Sequence, residues 1–390
     1  MNQAAILKSE AFSEQLTRIR RHLHQHPELS NEETETTAYI ASLLKSEGIR
    51  VVDYGLKTGV VAEIGGQLGG PIVVLRADID ALAIQEETEL PYASVYPGKM
   101  HACGHDYHTA SLIGAAYMLK QQEKQLNGTV RLIFQPAEEK ASGARQVVRS
   151  GALHEVEAIF GLHNKPDLPV GTIGIAGGPL MAAADGFTVS ITGAGSHAAV
   201  PESGVDPIVA ASHIVTALQS IVSRNVSALQ SAVISVTKIH SGTSWNIIPE
   251  TALLDGTIRT FDEKVREDVL ARFVQVTEGV AAALGAKAEI CWTEGPPPVV
   301  NDWSLVKLAD EAAAAIGLEI VRPVPSPAGE DFAVYQKEVP GLFVFFGTSG
   351  SKEWHHPAFD VDERALPFSA AYLSQIAVGY LNSRHNAGNA

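Results

Sequence analysis

The run His101-Ala102-Cys103-Gly104-His105-Asp106 brings thiol, imidazole and carboxylate together within six residues. These are the groups that divalent first-row metals prefer. A catalytic metal site needs them deprotonated, with one coordination position left open for water. Four further polar clusters follow short apolar runs: Asp78-Ile79-Asp80, Glu138-Glu139, His163, and His355-His356. Adjacent glutamates suit a division of labour in which one holds a metal and the other accepts a proton from water. Each residue alone has a blander reading. A loop histidine usually caps or faces solvent, a Glu-Glu pair usually sits on a solvated helix surface, and a single cysteine usually fills a core. Joint placement beyond the carboxyl ends of strands, where open α/β sheets bind ligands, favours the metal-site reading. His22, His24 and His26 imitate a metal tract, but residues two apart on a helix do not share a face and cannot converge on one ion. His108, His154, His213 and His240 have no such context and are expected to be structural.

The elements that must position these groups are legible from periodicity. Helices are expected over 13–26, stopped by Pro27, and over 34–47, with Gly48 suited to a left-handed cap. Apolar runs at Gly59–Ile64, Pro71–Leu75, Thr129–Phe134, Glu157–Gly161 and Leu342–Gly347 read as strands, and a helix is expected from about Thr109 to Lys120. That alternation predicts an α/β core with a largely buried sheet. After Pro179 the order becomes strand (Gly186–Thr192), helix (Asp206–Leu229), two strands (Ala232–His240, Ala252–Thr260), helix (Glu263–Leu284) and strand (Ala288–Trp292). This βαββαβ order is a split-βαβ pattern, and the turn-rich Glu294-Gly295-Pro296-Pro297-Pro298 marks a return to the first domain. The boundaries are therefore set at 1–182 and 295–390 for a discontinuous first domain, with 183–294 inserted.

The chain has 390 residues, enough for two or three domains, and a formal charge of −15 with no Lys/Arg cluster large enough to make a nucleic-acid stripe, which argues against nucleic acid as a partner. Its N-terminus lacks a basic segment followed by an apolar one, and no apolar run approaches a membrane span, so a cytoplasmic protein without membrane contact is expected. With only Cys103 and Cys291, a structural disulfide is not expected. Fraying is expected before about residue 8 and after Ser383.

The segments RHLHQHPELS (21–30), RADIDAL (76–82), MHACGHD (100–106), QPAEE (135–139), GLHN (161–164), GAGSHAAVPESGVDPI (193–208), NIIPE (246–250), GTIRTFD (256–262), GEDFAVY (329–335) and HHPAFD (355–360) run along nearly the whole chain. Together they resemble the amidohydrolase branch of the aminoacylase-like dinuclear metallopeptidases, which includes hippurate hydrolases, auxin-conjugate hydrolases and N-acetyldiaminopimelate deacetylases. MHACGHD with QPAEE at this spacing is the specific part. The resemblance implies a zinc-peptidase-like catalytic domain with a mixed central sheet and an inserted ferredoxin-like lid or dimerisation domain, compatible with a homodimer or higher homo-oligomer. It implies two divalent ions, zinc or manganese, with cobalt or nickel also suited. Their ligands would be Cys103 as bridge, His105, Glu139, His163 and His355, with Asp80 as a supporting carboxylate. Glu138 would be the general base, acting on a metal-bound hydroxide to cleave small N-acyl amino acids into carboxylic acid and free amino acid. His197 and Asn246 match positions that stabilise the tetrahedral oxyanion. Arg259 reads either as a bidentate clamp on the substrate carboxylate or as a cross-strand salt bridge.

Two departures qualify that match. Pro201-Glu202 stands where relatives often have Pro-His, and the His355-His356 pair leaves the ligand open to a slip of one, His355 being preferred as two residues before the proline. Three other readings compete: a metallo-dipeptidase or carboxypeptidase, a Cys103 nucleophile with His105 as base, and a binding module on a decayed enzyme. The acyl group, the side-chain preference and the metal are not encoded legibly.

Overall fold

The computed structural model describes residues 9–388, so the fraying expected before residue 8 lies outside the described residues. At the other end the last helix continues to Gly388, past the expected fraying point at Ser383. The chain divides into two units. One holds the residues up to Gly178, Val300–Val324 and those from Asp331; the other holds Pro179–Val299 and Pro325–Glu330. The short return 325–330 to the second unit was not expected, because a proline-rich stretch carries no periodicity to assign it.

The strands, in chain order, are β1 (Arg50–Val52), β2 (Val60–Gly65), β3 (Ile72–Asp78), β4 (Thr129–Gln135), β5 (Val156–Lys165), β6 (Thr172–Gly174), β7 (Ala183–Thr192), β8 (Ala232–Ser241), β9 (Thr251–Thr260), β10 (Lys287–Thr293), β11 (Glu319–Val321) and β12 (Gly341–Gly347). The helices are α1 (Glu10–Gln25), α2 (Thr34–Ser46), α3 (His105–Gln121), α4 (Gly143–Arg149), α5 (Pro207–Asn225), α6 (Glu263–Ala283), α7 (Trp303–Ala315), the one-turn α8 (Phe332–Tyr335) and α9 (Leu366–Gly388). Two two-residue strands, Ser196–His197 and Ile247–Ile248, pair separately.

In the first unit an eight-stranded mixed sheet runs β1-β2-β4-β3-β5-β12-β6-β11. Its centre is parallel: β3 lies between β4 and β5, and β12 flanks β5. These strands are buried along nearly their whole length, as expected of near-continuous apolar runs covered on both faces. Helix α3 is buried from His105 to Leu119. It starts four residues before the expected Thr109, because its first turn is polar yet buried and shows no amphipathic period. Gly114 lets α3 approach its neighbours closely: a Cβ there would stand 2.7 Å from Ala370 of α9 and 3.0 Å from Leu16 of α1. Among the described residues no helix is long and apolar enough to cross a membrane.

The second unit has a four-stranded antiparallel sheet, β8-β9-β7-β10. Strand β7 alternates buried and open positions, and Phe187, Val189 and Ile191 face a core built with Leu218 and Ile221 of α5 and Phe273 of α6. Asp206 and Asp262 cap α5 and α6 by accepting from backbone amides of the first turn. A buried pair joins Arg266 to Asp185 through two bonds of 2.7 and 2.6 Å.

The inward face of α1 is not wholly apolar. Arg20 is fully buried and donates to Asp106 (2.8 Å), Asp360 (2.9 Å) and the Tyr92 hydroxyl (3.2 Å). His24 sits between Asp106 (2.8 Å) and Glu86 (3.1 Å). His22, near the end of the helix, and His26, at its C-cap, hold their ring centroids 4.5 Å apart. Burial alone would raise the Asp106 pKa, but the Arg20 guanidinium and His24 outweigh it and hold the carboxyl well below its usual range. A folded-state pKa below the unfolded value of about 3.9 gives stability that is complete above about pH 4 and is lost as the pH falls further. Asp106→Asn is therefore expected to cost about 3–5 kcal/mol at pH 7, where it strands a buried guanidinium. That deficit should shrink at pH 3, and urea denaturation at the two pH values measures both.

Candidate metal centre

Because β3, β4, β5 and β12 are parallel neighbours, their carboxyl ends share one edge of the sheet. Asp78 ends β3 and Asp80 follows it; Glu138 and Glu139 follow β4. His105 and His108 occupy the first turn of α3. His355 lies in the loop after β12. His163 belongs inside β5, two residues before its end, rather than beyond it, a correction to the expectation that it trails the strand.

Asp80 is the hub. Its Oδ1 accepts from the Glu138 amide (3.1 Å) and lies 3.2 Å from His105 Nδ1; its Oδ2 accepts from the Ser30 hydroxyl (2.6 Å) and the Glu139 amide (3.1 Å). Burial favours its neutral form, but His105 and Ser30 hold its pKa below the usual value. His105 Nδ1 also reaches the Asp80 carbonyl at 2.9 Å, so this nitrogen carries the proton and Nε2 keeps its lone pair. His163 is arranged the same way: Nδ1 donates to the Asn164 carbonyl (2.9 Å), and Nε2 stands 3.5 Å from Cys103 Sγ.

Among the sets of donors whose ligand atoms lie within 4.8 Å of one another, three are drawn from the expected ligands and base: Cys103, His105 and His163; Cys103, Glu139 and His355; and His105, Glu138 and Glu139. His105 Nε2 and Glu139 Oε1 are buried without a hydrogen-bond partner. Buried polar atoms are rarely left unsatisfied, so two orphans facing one cluster of soft and borderline donors fit a divalent cation. Cys103 is common to two of the sets, which suits a shared ligand.

His355 has φ 65°, a left-handed conformation rare outside glycine, and its amide is tied to the Ala102 carbonyl at 2.8 Å. Its Nε2 lies 3.5 Å from Glu139. His356 instead accepts from the Ala358 amide through Nδ1 at 3.0 Å and joins none of the three sets.

His108, expected to lack context, is wired into the site. It accepts from the Asn164 amide at 2.9 Å, and its Nδ1 lies 2.6 Å from Asp78 Oδ1, so both ring nitrogens are engaged, and with Asp78 and His105 it forms a further set of donors within 4.8 Å. Asp78 is in turn bonded by Arg76 at 2.6 Å, and Arg76 reaches Asp331 at 2.9 Å. The Asn164 side chain donates to the Cys103 carbonyl (2.6 Å). Gly104, at φ 84°, makes room for it, since a Cβ there would meet Asn164 Nδ2 at 2.4 Å. Trp354 donates to the Asn164 carbonyl and sets its ring edge-on to His163 at 4.5 Å. Glu138 accepts from the Asp331 amide at 3.2 Å. Ser30, Asn164, His108, Trp354 and Asp331 gave no compositional signal as partners, because their contacts span tens to hundreds of residues.

In the second unit, His197 and Asn246 are neighbours: Ile247 pairs with His197, and the Ala198 amide donates to the Asn246 carbonyl at 3.1 Å. Among the described residues no cross-strand salt bridge of Arg259 is found. Its Nε donates to the Pro327 carbonyl at 3.2 Å and its Nη1 to the Ile258 carbonyl at 3.1 Å.

Cysteine, histidine and glutamate donors converging at the carboxyl ends of a mixed α/β sheet make up a candidate divalent-metal centre, and the family match makes the protein a metal-dependent hydrolase. The chain belongs to peptidase family M20/M25/M40, whose model matches residues 74–378. It is 53% identical over 376 residues to an N-acetyl-L-cysteine deacetylase of Bacillus subtilis, covering 96% of this chain and 90% of that protein. It is 39% identical to an IAA-amino acid hydrolase of Arabidopsis thaliana, covering 96% and 88%. A solved Bacillus subtilis structure described as a dinuclear metal-binding peptidase of the M20 family superposes with a TM-score of 0.87 at 50% identity, covering 96% of this chain and 99% of that one.

Burial, with Glu139 adding to it, raises the Cys103 thiol well above its usual pKa. Cation ligation needs the thiolate, so metal loading at neutral pH should expel a proton. Titrating zinc into metal-free protein in two buffers of different ionisation enthalpy should show that release as a buffer-dependent heat; a buffer-independent heat would rule it out. Asp80→Ala, which removes the acceptor from His105 and both glutamate amides, is expected to weaken metal affinity about 10- to 100-fold in competition with a chromophoric chelator.

Proposed function

We propose that this chain hydrolyses the amide bond of N-acyl amino acids, N-acetyl amino acids first among them, releasing a carboxylic acid and a free amino acid. The observation that carries the reading is the pair of orphaned buried atoms, His105 Nε2 and Glu139 Oε1, within a cluster that also holds Cys103 and Glu138. The deacetylase and amino acid hydrolase relatives support the substrate class. In this reading Cys103, His105, Glu139, His163 and His355 would hold two divalent ions, zinc or manganese being the first choices. Bound there, such ions would polarise the scissile carbonyl and bring the pKa of an attacking water toward about 7.

The rest of the chemistry falls to the chain's own groups. Glu138 removes the proton from the water and returns it to the leaving amine. Its Oε1 is oriented by the Asp331 amide, so the carboxylate is held rather than free to rotate. Asp80 fixes the His105 tautomer and the backbone that carries both glutamates. His197 and Asn246 are assigned to the tetrahedral oxyanion, supported by their adjacency in the second unit. Arg259 is assigned to the substrate carboxylate, for which it must leave the carbonyls it now bonds.

The test is hydrolysis of N-acetyl amino acids, hippurate and unblocked dipeptides by chelated protein, before and after zinc or manganese is restored. Metal-restored release of free amino acid from the acylated substrates is the expected result, and activity on dipeptides alone would move the reading to a peptidase. Glu138→Ala should keep its metal, measured by atomic emission, and lose at least about a hundredfold in turnover.

A further inference from the structure

Ala137, immediately before the two glutamates, has φ 51°, in the left-handed region that alanine rarely adopts. Its amide donates to Glu33 Oε1 at 2.8 Å. The same oxygen accepts from the Asn31 amide at 2.9 Å, and the other oxygen accepts from the Thr58 hydroxyl at 2.8 Å. Glu33 is completely buried. It stands at the N-cap of α2 yet makes no capping bond with its side chain. The Glu28 carboxylate takes that duty, accepting from the Thr36 amide at 2.8 Å. Glu33 is thereby released to reach a loop about a hundred residues away. The next two amides, of Glu138 and Glu139, both go to Asp80. Three consecutive amides therefore end on two buried carboxylates, and Glu33 holds the first and most contorted of them.

We propose that Glu33 is a positioning residue for hydrolysis, acting through Ala137 to set the direction in which Glu138 projects. The kinetic part of this assignment rests on the amidohydrolase reading; the structural part rests only on these hydrogen bonds. Without the carboxylate, the Ala137 amide loses its acceptor and the residue relaxes toward ordinary backbone angles. The following peptide then turns, and the base is displaced from the water it must deprotonate.

The experiment compares Glu33→Ala and Glu33→Gln in metal-loaded full-length protein. Glutamine keeps a carbonyl oxygen for the two amides and can donate to the Thr58 oxygen, so it preserves the geometry without the charge. Glu33→Ala is expected to lower kcat on an N-acetyl amino acid by about 10- to 100-fold with KM changed less than about threefold, while Glu33→Gln stays within about threefold of the parent. Amide hydrogen exchange at 137–139 should accelerate in Glu33→Ala and not in Glu33→Gln, with β12 unaffected in both. Unchanged exchange at 137–139 in Glu33→Ala, equal kinetic loss in the two variants, or equal acceleration throughout the unit would each overturn the proposal. Should Glu33→Ala fail to fold, Glu33→Asp withdraws the carboxylate by one methylene and must show the same local acceleration; parent-like exchange there overturns the proposal. Local acceleration in a protein inactive on every acylated substrate would refute the amidohydrolase reading alone.

Discussion

The buried Asp80 carboxylate is the tie on which the rest of the site depends. A lone carboxylate in an apolar interior would take up a proton or unfold its surroundings, because desolvating the charge is too costly. Four donors offset that cost, and they come from the segment before α2, the first turn of α3 and the loop after β4. The charge is tolerated only when these segments meet, so folding the sheet and assembling the donors are the same event. The Arg76–Asp78–His108 chain repeats the device one step along, with burial opposing ionisation of Asp78 and His105, His108 and Arg76 restoring it.

Much of the scaffold was legible because the strands are near-continuous apolar runs, and a buried parallel sheet leaves no other pattern. Strands β3, β4 and β12 fall within a few residues of expectation for that reason. The early start of α3 was illegible: His105, Asp106 and His108 read as loop chemistry, yet all three are buried in a helical turn. Arg20 and His24 were invisible for the related reason that a charged residue on the apolar face of a helix breaks the period, and only its distant partners explain it.

Within the site, the types and spacing in MHACGHD and QPAEE pointed to the donors, while sequence preferred His355 to His356 only through its distance from the following proline. Backbone geometry separates them: His355 is turned into the left-handed region beside Glu139, and His356 serves its own loop. Pairings such as Glu33 with Ala137 could not be read, since a glutamate before a helix looks like an ordinary cap residue and nothing local reveals a partner so far away.

Cys103 also bears on the reading in which it attacks substrate itself. Nucleophilicity and susceptibility to oxidants both belong to the thiolate, and burial beside Glu139 keeps this sulfur protonated. In the folded interior the sulfur is thus placed to ligate rather than to attack.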